Sequence, residues 1–250
     1  ILLSGFGLIF WTICTHLYSD VQVGIATALL AALNLISSLS LMGFELSIIR
    51  ILPVRQDKST LLNICLSTAS LFGIIFSLMF MLLLPFFSGD LDVVSSNLVT
   101  RILFVLFVII AVADYLLNNV FIAYRKSGYV LRKNLIFSVC KLIFPFLLIS
   151  FGAYGIFSAW MFSLALAVIF SMVVLARQFN HSFKPHLGIS PLRGMIKYSF
   201  GNYLSSFAEG LPIMVLPILI LNVLGPEESA YYYMAMMLAT FLFTISTSAT

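Results

Sequence analysis

The chain has 250 residues, of which 62% are hydrophobic and only 9% are charged, against roughly 25% charged in ordinary soluble proteins. Its mean hydropathy is +1.13. So few charges cannot cover a water-soluble fold of this size, and the composition calls for an integral membrane protein. The net charge of +4 is dispersed between apolar runs, which excludes nucleic-acid binding as a main role. Three widely spaced cysteines (Cys14, Cys65, Cys140), each inside an apolar run, exclude a disulfide-stapled fold.

Runs with few or no charges fall at about 1–18, 22–44, 59–87, 99–123, 135–151, 154–176, 198–224 and 230–250. Each suits a transmembrane helix, and none shows the ten-residue alternation of a membrane barrel. The expected fold is therefore an all-α polytopic membrane protein with about eight transmembrane helices. Ile1 and Thr250 both fall inside apolar runs, so the sequence reads as a segment of a longer polytopic protein.

Charge orients the spans. Arg50, Arg55 and Lys58 lie between spans 2 and 3, and Arg125, Lys126, Arg132 and Lys133 between spans 4 and 5. Arg177, Lys184, Arg193 and Lys197 lie between spans 6 and 7, so these connections hold 11 of the 13 basic residues. The alternate connections carry Asp20, then Asp90 and Asp92, then no charge, then Glu227 and Glu228. The positive-inside rule places the start of helix 1 and loops 2–3, 4–5 and 6–7 in the cytoplasm.

The connection from Arg177 to Lys197 contains Pro185, Gly188, Pro191 and Gly194 and reads as a linker. It divides a first lobe, 1–178, from a linker, 179–197, and the start of a second lobe, 198–250. A shift of 206 residues sets Tyr18–Gly24 over Leu224–Ala230, each a short acidic turn followed by a small residue that opens the next span. That weak repeat fits two lobes of like-oriented helices.

Ionisable side chains at bilayer depth are costly and mark candidate sites. Asp114 in span 4, Lys141 in span 5 and Glu209 in span 7 are the clearest, with Glu45, Arg50 and Arg101 nearer the span ends. Glu209 lies about 18 Å from Lys197 along a helix and is followed by Gly210, Pro212 and Pro217, the setting of a kinked helix with freed carbonyls that can hold a coupling ion. The other reading is a carboxylate packed against a neighbouring helix. Asp114 and Lys141 lie at similar expected depths, about 16 and 12 Å, so an ion pair between helices 4 and 5 is expected, structural or functional. Asn118, one turn from Asp114, adds polar lining. Arg101 reads as a snorkelling anchor. His181 and His186 have no further ligands around them, so no metal is expected. No cofactor or nucleotide motif occurs either, and the external loops lack a catalytic set, which argues against an enzyme.

The segment Ser19-Asp20-Val21-Gln22-Val23-Gly24 through Leu41-Met42-Gly43-Phe44 to Ile49-Arg50-Ile51-Leu52-Pro53 resembles the second helix of the polysaccharide-biosynthesis (Wzx-type) oligosaccharide flippases. These belong to the multidrug/oligosaccharidyl-lipid/polysaccharide exporter superfamily. Asn134 through Trp160 and Gly225-Pro226-Glu227-Glu228 are similar to that family's helix 5–6 hairpin and helix 7–8 turn. The sequence departs from the family where Leu41-Met42 replaces an acidic-Gly pair and where Ile25 follows Gly24. The resemblance implies a transporter of 12–14 helices in two lobes around a central cavity. Its implied cargo is a polyprenyl-pyrophosphate-linked oligosaccharide (an O-antigen, capsule or exopolysaccharide unit), moved across the cytoplasmic membrane by alternating access. The implied partners are that lipid-linked oligosaccharide, a coupling ion (proton or sodium), membrane lipid and other polysaccharide-assembly membrane proteins. It also raises Arg50 as a candidate phosphate-facing cation, although a positive-inside anchor is the preferred reading, and a Lys141 facing the cavity would meet a pyrophosphate. A cation-coupled drug exporter or a lipid-linked peptidoglycan precursor flippase of the same superfamily is the alternative reading. A polytopic glycosyltransferase or polymerase fits less well.

Overall fold

The computed structural model describes the backbone of residues 2–84, 91, 94 and 97–248, with side chains for all of these except 2–4, 189–199 and 244–248. Asp90 and Asp92, and the side chains of Arg193 and Lys197, lie outside the described residues. The helices are α1 (Leu2–Leu17), α2 (Asp20–Leu41), α3 (Phe44–Ile51), α4 (Lys58–Leu83), α5 (Leu98–Ala123), α6 (Ser127–Leu147), α7 (Gly152–Gln178), α8 (Ile189–Leu224) and α9 (Pro226–Ser248). No strand occurs among the described residues. Five helical stretches are long and apolar enough to cross a membrane: α2, α4, α5, Ile149–Gln178 and Phe200–Leu224. The remaining long helices differ for visible reasons. In α1 the stretch whose side chains are described, Gly5–Leu17, is apolar but short, α6 contains Arg132, Lys133 and Lys141, and α9 opens on Glu227 and Glu228.

The bundle is apolar on its outside as well as in its core. Large apolar side chains stand exposed at helical spacing on α4 (Leu71, Ile75, Leu78, Leu82), α6 (Leu131, Leu135, Val139, Ile143) and α7 (Phe162, Leu166, Ile169, Val173). On α6 the buried face carries Lys133, Ser138, Lys141 and Pro145. So extensive an apolar exterior suits a bundle surrounded by hydrocarbon, and the fold is that of a helical membrane protein.

Helix α2 is the central element, packed against α4, α5, α7, α8 and α9. Its start is fixed by a reciprocal cap: Gln22 N donates to Ser19 Oγ at 3.3 Å and Ser19 N donates to Gln22 Oε1 at 3.3 Å. Lipid supplies little hydrophobic drive between helices, so close backbone approach and internal hydrogen bonds hold them together. Gly24, Ala28, Ala31 and Ala32 are buried on α2. A Cβ at Gly24 would stand 1.8 Å from the Pro226 carbonyl oxygen, so only glycine admits the start of α9 there. Several buried hydroxyls turn back onto their own helices, as Ser40 to the Ile36 carbonyl at 2.6 Å and Ser163 to Ala159 at 2.7 Å, which satisfies those donors within the helix. The two turns matched by the 206-residue shift are in direct contact, since the Tyr231 hydroxyl also donates to Asp20 Oδ2 at 3.0 Å.

Helices run up and down between a basic and an acidic end. The Lys58 ammonium lies 5.5 Å from the Tyr124 ring, and Tyr124 stacks on Phe179 at 4.7 Å, which brings the start of α4 and the ends of α5 and α7 together. At the opposite end the Tyr154 hydroxyl donates to the Thr100 carbonyl at 3.0 Å and the Tyr18 hydroxyl to that of Pro145 at 2.7 Å.

Three expected boundaries differ. Span 2 does not run into a loop after 44. Met42 (φ 47°) and Gly43 (φ 80°) take left-handed conformations that break the helix, and α3 resumes immediately through Ile51. Pro53 then sits in a short 3₁₀ turn, Leu52–Val54. Helix α6 begins at Ser127, so Arg132 and Lys133 are helical rather than loop residues. Helix α8 begins at Ile189, with Pro191 in a first turn that needs no amide donor, so the extended linker is confined to 179–188.

Candidate functional site

The sequence-expected pair of Asp114 with Lys141 does not form. Asp114 Oδ1 lies 2.5 Å from Lys133 Nζ, with Lys133 1% exposed and Asp114 21%. Depth explains the correction. The turn between α5 and α6, with Arg125 at φ 55°, is tight, and Lys133 enters six residues into α6, about 9 Å deep. Asp114 lies nine residues from the end of α5, about 14 Å deep, and a lysine stem spans the difference. Lys141 is two turns farther along the same face.

Lys141, 3% exposed, sits instead among aromatic rings. Its Nζ is 4.8 Å from the Phe137 and Trp160 ring centres and 5.7 Å from that of Phe10. The rings come from α1, α6 and α7, so this cation–π box ties three helices at the depth where the charge is most costly. Trp160 continues into a cluster with Phe10 and Trp11, and Trp11 meets Tyr233 of α9 at 5.0 Å. Tyr231 and Tyr233 thus make interhelical contacts, to Asp20 of α2 and Trp11 of α1.

Glu45 stands in the first turn of α3, directly after the helix break. Its Oε2 is buried without a hydrogen-bond partner. Tyr115 of α5, the chain neighbour of Asp114, and Tyr203 of α8 lie within electrostatic reach of it. The Tyr203 hydroxyl donates to the Ser38 carbonyl at 3.2 Å, which fixes α8 against α2. Polar groups from α3, α5, α6 and α8 therefore meet in one region, with half-buried Asn118 and Asn119 on α5 and exposed Arg50 on the last turn of α3.

Glu209 is exposed, and so are Asn202, Ser205 and Ser206, which precede it at helical spacing on α8. Among the described residues no hydrogen bond or ion pair joins it to Asp114, Lys133 or Lys141. Pro212 and Pro217 lie inside a continuous α8, and the Pro217 carbonyl accepts a hydrogen bond from Ser229 Oγ of α9 at 3.0 Å. Arg101 is exposed beside an apolar hollow with Leu78, Leu82 and Leu98 at the acidic end.

The linker is docked rather than loose. Asn63 Nδ2 donates to the Ser182 carbonyl at 2.7 Å, leaving its Oδ1 to accept from His181 Nε2 at 3.1 Å. His186 N donates to Ser67 Oγ at 3.1 Å. His181 packs on Phe183, and burial pushes its imidazole below the usual histidine range. Among the described residues no three His, Cys, Asp or Glu side chains converge as metal ligands do.

Sequence reasoning missed Lys133, Tyr115 and Tyr203. The signal for Lys133 was present: it lies four residues before Phe137 and eight before Lys141, on one helical stripe. Tyr115 and Tyr203 carried none, because a tyrosine in an apolar run does not reveal its neighbours. Protein-family models, curated proteins and solved structures yield no match to this chain.

Proposed function

We propose that this chain is part of a multi-pass membrane transporter that turns a polyprenyl-pyrophosphate-linked oligosaccharide across the cytoplasmic membrane by alternating access. The supporting observation is the exposed stripe Asn202–Ser205–Ser206–Glu209. It lies within a helix apolar enough to span the bilayer, with Glu209 about 14 Å from Phe200. A carboxylate facing lipid at that depth costs at least about 3 kcal/mol, so the stripe faces water or further protein. A hydrated path along α8 meets that requirement, and the Glu45–Tyr115–Tyr203 region and Arg50 lie toward the basic end of the same helix.

On this reading α1–α7 form the first lobe, with α2 and α3 one broken span, and α8 and α9 open the second. The whole transporter has 12–14 helices, and the basic end is cytoplasmic. Arg50 meets the pyrophosphate, and Glu209 carries the coupling proton or sodium ion. Lys133 and Lys141, both buried, hold helices in place rather than touching cargo. The break at Met42–Gly43 is where α3 swings against α2 as the path opens. A drug exporter of the same superfamily is favoured by a single feature: the acidic side chains Glu45 and Glu209 suit an organic cation.

The test is flipping of a fluorescent polyprenyl-pyrophosphate-linked oligosaccharide in proteoliposomes bearing the full-length protein. Folded Glu209→Gln is expected to lose at least tenfold in rate, with Lys141→Met near wild type. No flipping by the wild type, together with export of small organic cations, would transfer the assignment to the drug exporter.

A further inference from the structure

A cleft of about 570 Å³ lies on the outside of the bundle between α4, α5 and α7, away from the polar stripe of α8. Along α4 it runs from Asn63 to Ile74, about 16 Å. Its deep walls are apolar, formed by Ile74, Ile110, Ala113, Val168 and Met172. Its mouth is polar, formed by Asn63, Ser67 and Lys184. The mouth exists because the linker is strapped onto α4 by the Asn63–Ser182, Asn63–His181 and Ser67–His186 bonds, which hold Phe183, Lys184 and Pro185 over the end of the cleft.

We propose that this cleft is a binding site for one anionic phospholipid from the leaflet at the basic end. Polarity and depth argue for that occupant together. The apolar floor reaches from the interface into the hydrocarbon, as an acyl chain does, and its volume lies in the range of small-molecule sites. The exposed ammonium of Lys184 stands where a headgroup phosphate sits and has no carboxylate partner among the described residues. Lys58, Arg177 and Lys126 at the same end raise the local positive potential. Basic pockets between helices at the membrane surface select anionic headgroups, at about 1 kcal/mol per lysine. A lipid seated here bridges α4, α5 and α7 to the strap and braces the joint between the two groups of helices. The site requires only that the bundle sits in a bilayer, so a failed flipping assay leaves it standing.

The experiment is native mass spectrometry of the full-length protein released from vesicles of equal phosphatidylglycerol and phosphatidylcholine. Wild type is expected to retain one phosphatidylglycerol in preference to phosphatidylcholine. Lys184→Gln is expected to reduce that preference about fivefold, the equivalent of one surface lysine, while Lys126→Gln changes it less than twofold. Ser70→Phe, which fills the cleft, is expected to remove retention of both lipids while the protein elutes as folded. An unchanged preference in Lys184→Gln, or undiminished retention in folded Ser70→Phe, overturns the proposal. So does a Leu71→Cys protein that crosslinks to a second copy and carries no lipid, because the cleft is then a protein interface.

Discussion

Asp114 and Lys133 form an ion pair whose two members differ in access to solvent, and that difference sets an asymmetric energetic prediction. Asp114→Leu leaves the Lys133 ammonium, 1% exposed, without a counter-charge, which costs about 3–5 kcal/mol. Lys133→Met leaves Asp114, 21% exposed and near Asn118, which water can reach, and costs about 1–3 kcal/mol. The double variant removes both charges and fills the space with apolar side chains, so it falls within about 1 kcal/mol of the native protein. Taking the lower single values, the coupling is at least about 3 kcal/mol. Unfolding in mixed micelles of rising denaturing-detergent content, followed by the fluorescence of Trp11 and Trp160, measures all four corners of the cycle. Equal single effects that add to within about 0.5 kcal/mol would refute the pairing and its inward orientation.

Gly24→Val drives a side chain into the Pro226 carbonyl, a backbone atom that cannot rotate away, so the loss reaches or exceeds the upper end of the usual overpacking range, about 3 kcal/mol. Gly128→Val, where the added carbon meets nothing, serves as the control in the same detergent titration. His181 yields a pH prediction. Burial holds its folded pKa below the unfolded value of about 6.5, so its share of linker docking is intact above that value and lost as pH falls through the folded pKa. Hydrogen-exchange protection across 179–188, taken relative to the intrinsic rate at each pH, therefore falls on acidification, and His181→Gln abolishes that pH dependence. Protection that is flat with pH in the wild type removes His181 from the docking.

How much of this was legible in the sequence follows from what each signal encodes. Apolar run length placed most of the long helices, because crossing hydrocarbon is a constraint that every residue of a span must obey. Charge segregation separated the two ends for the same reason. The break at Met42–Gly43 was hidden, since Phe44–Ile51 continues the apolar pattern and only the backbone conformation reveals the interruption. Lys133 was assigned to a loop because it follows Arg132, although helix and loop give adjacent basic residues the same appearance. Asp114 and Lys141 were singled out from cost alone, but their partners, Lys133 and an aromatic box, were not. The Phe137–Trp160–Phe10 box and the contacts to Tyr115 and Tyr203 depend on which helices are neighbours, which intramembrane hydropathy does not specify.

The central position of α2 has a consequence for how the protein is made. Helices leave the insertion machinery in chain order, so α2 enters the bilayer well before α8 and α9, two of its most extensive neighbours. Until they arrive, the surface around Gly24 and Ser38 faces lipid or whatever membrane chaperone shields it, and its small side chains attract any helix that can approach closely. Biogenesis is thus least protected over the interval in which α3 to α7 are emerging. A substitution that weakens the α2–α9 contact would lower the yield of finished protein in the membrane before it altered anything the finished protein does.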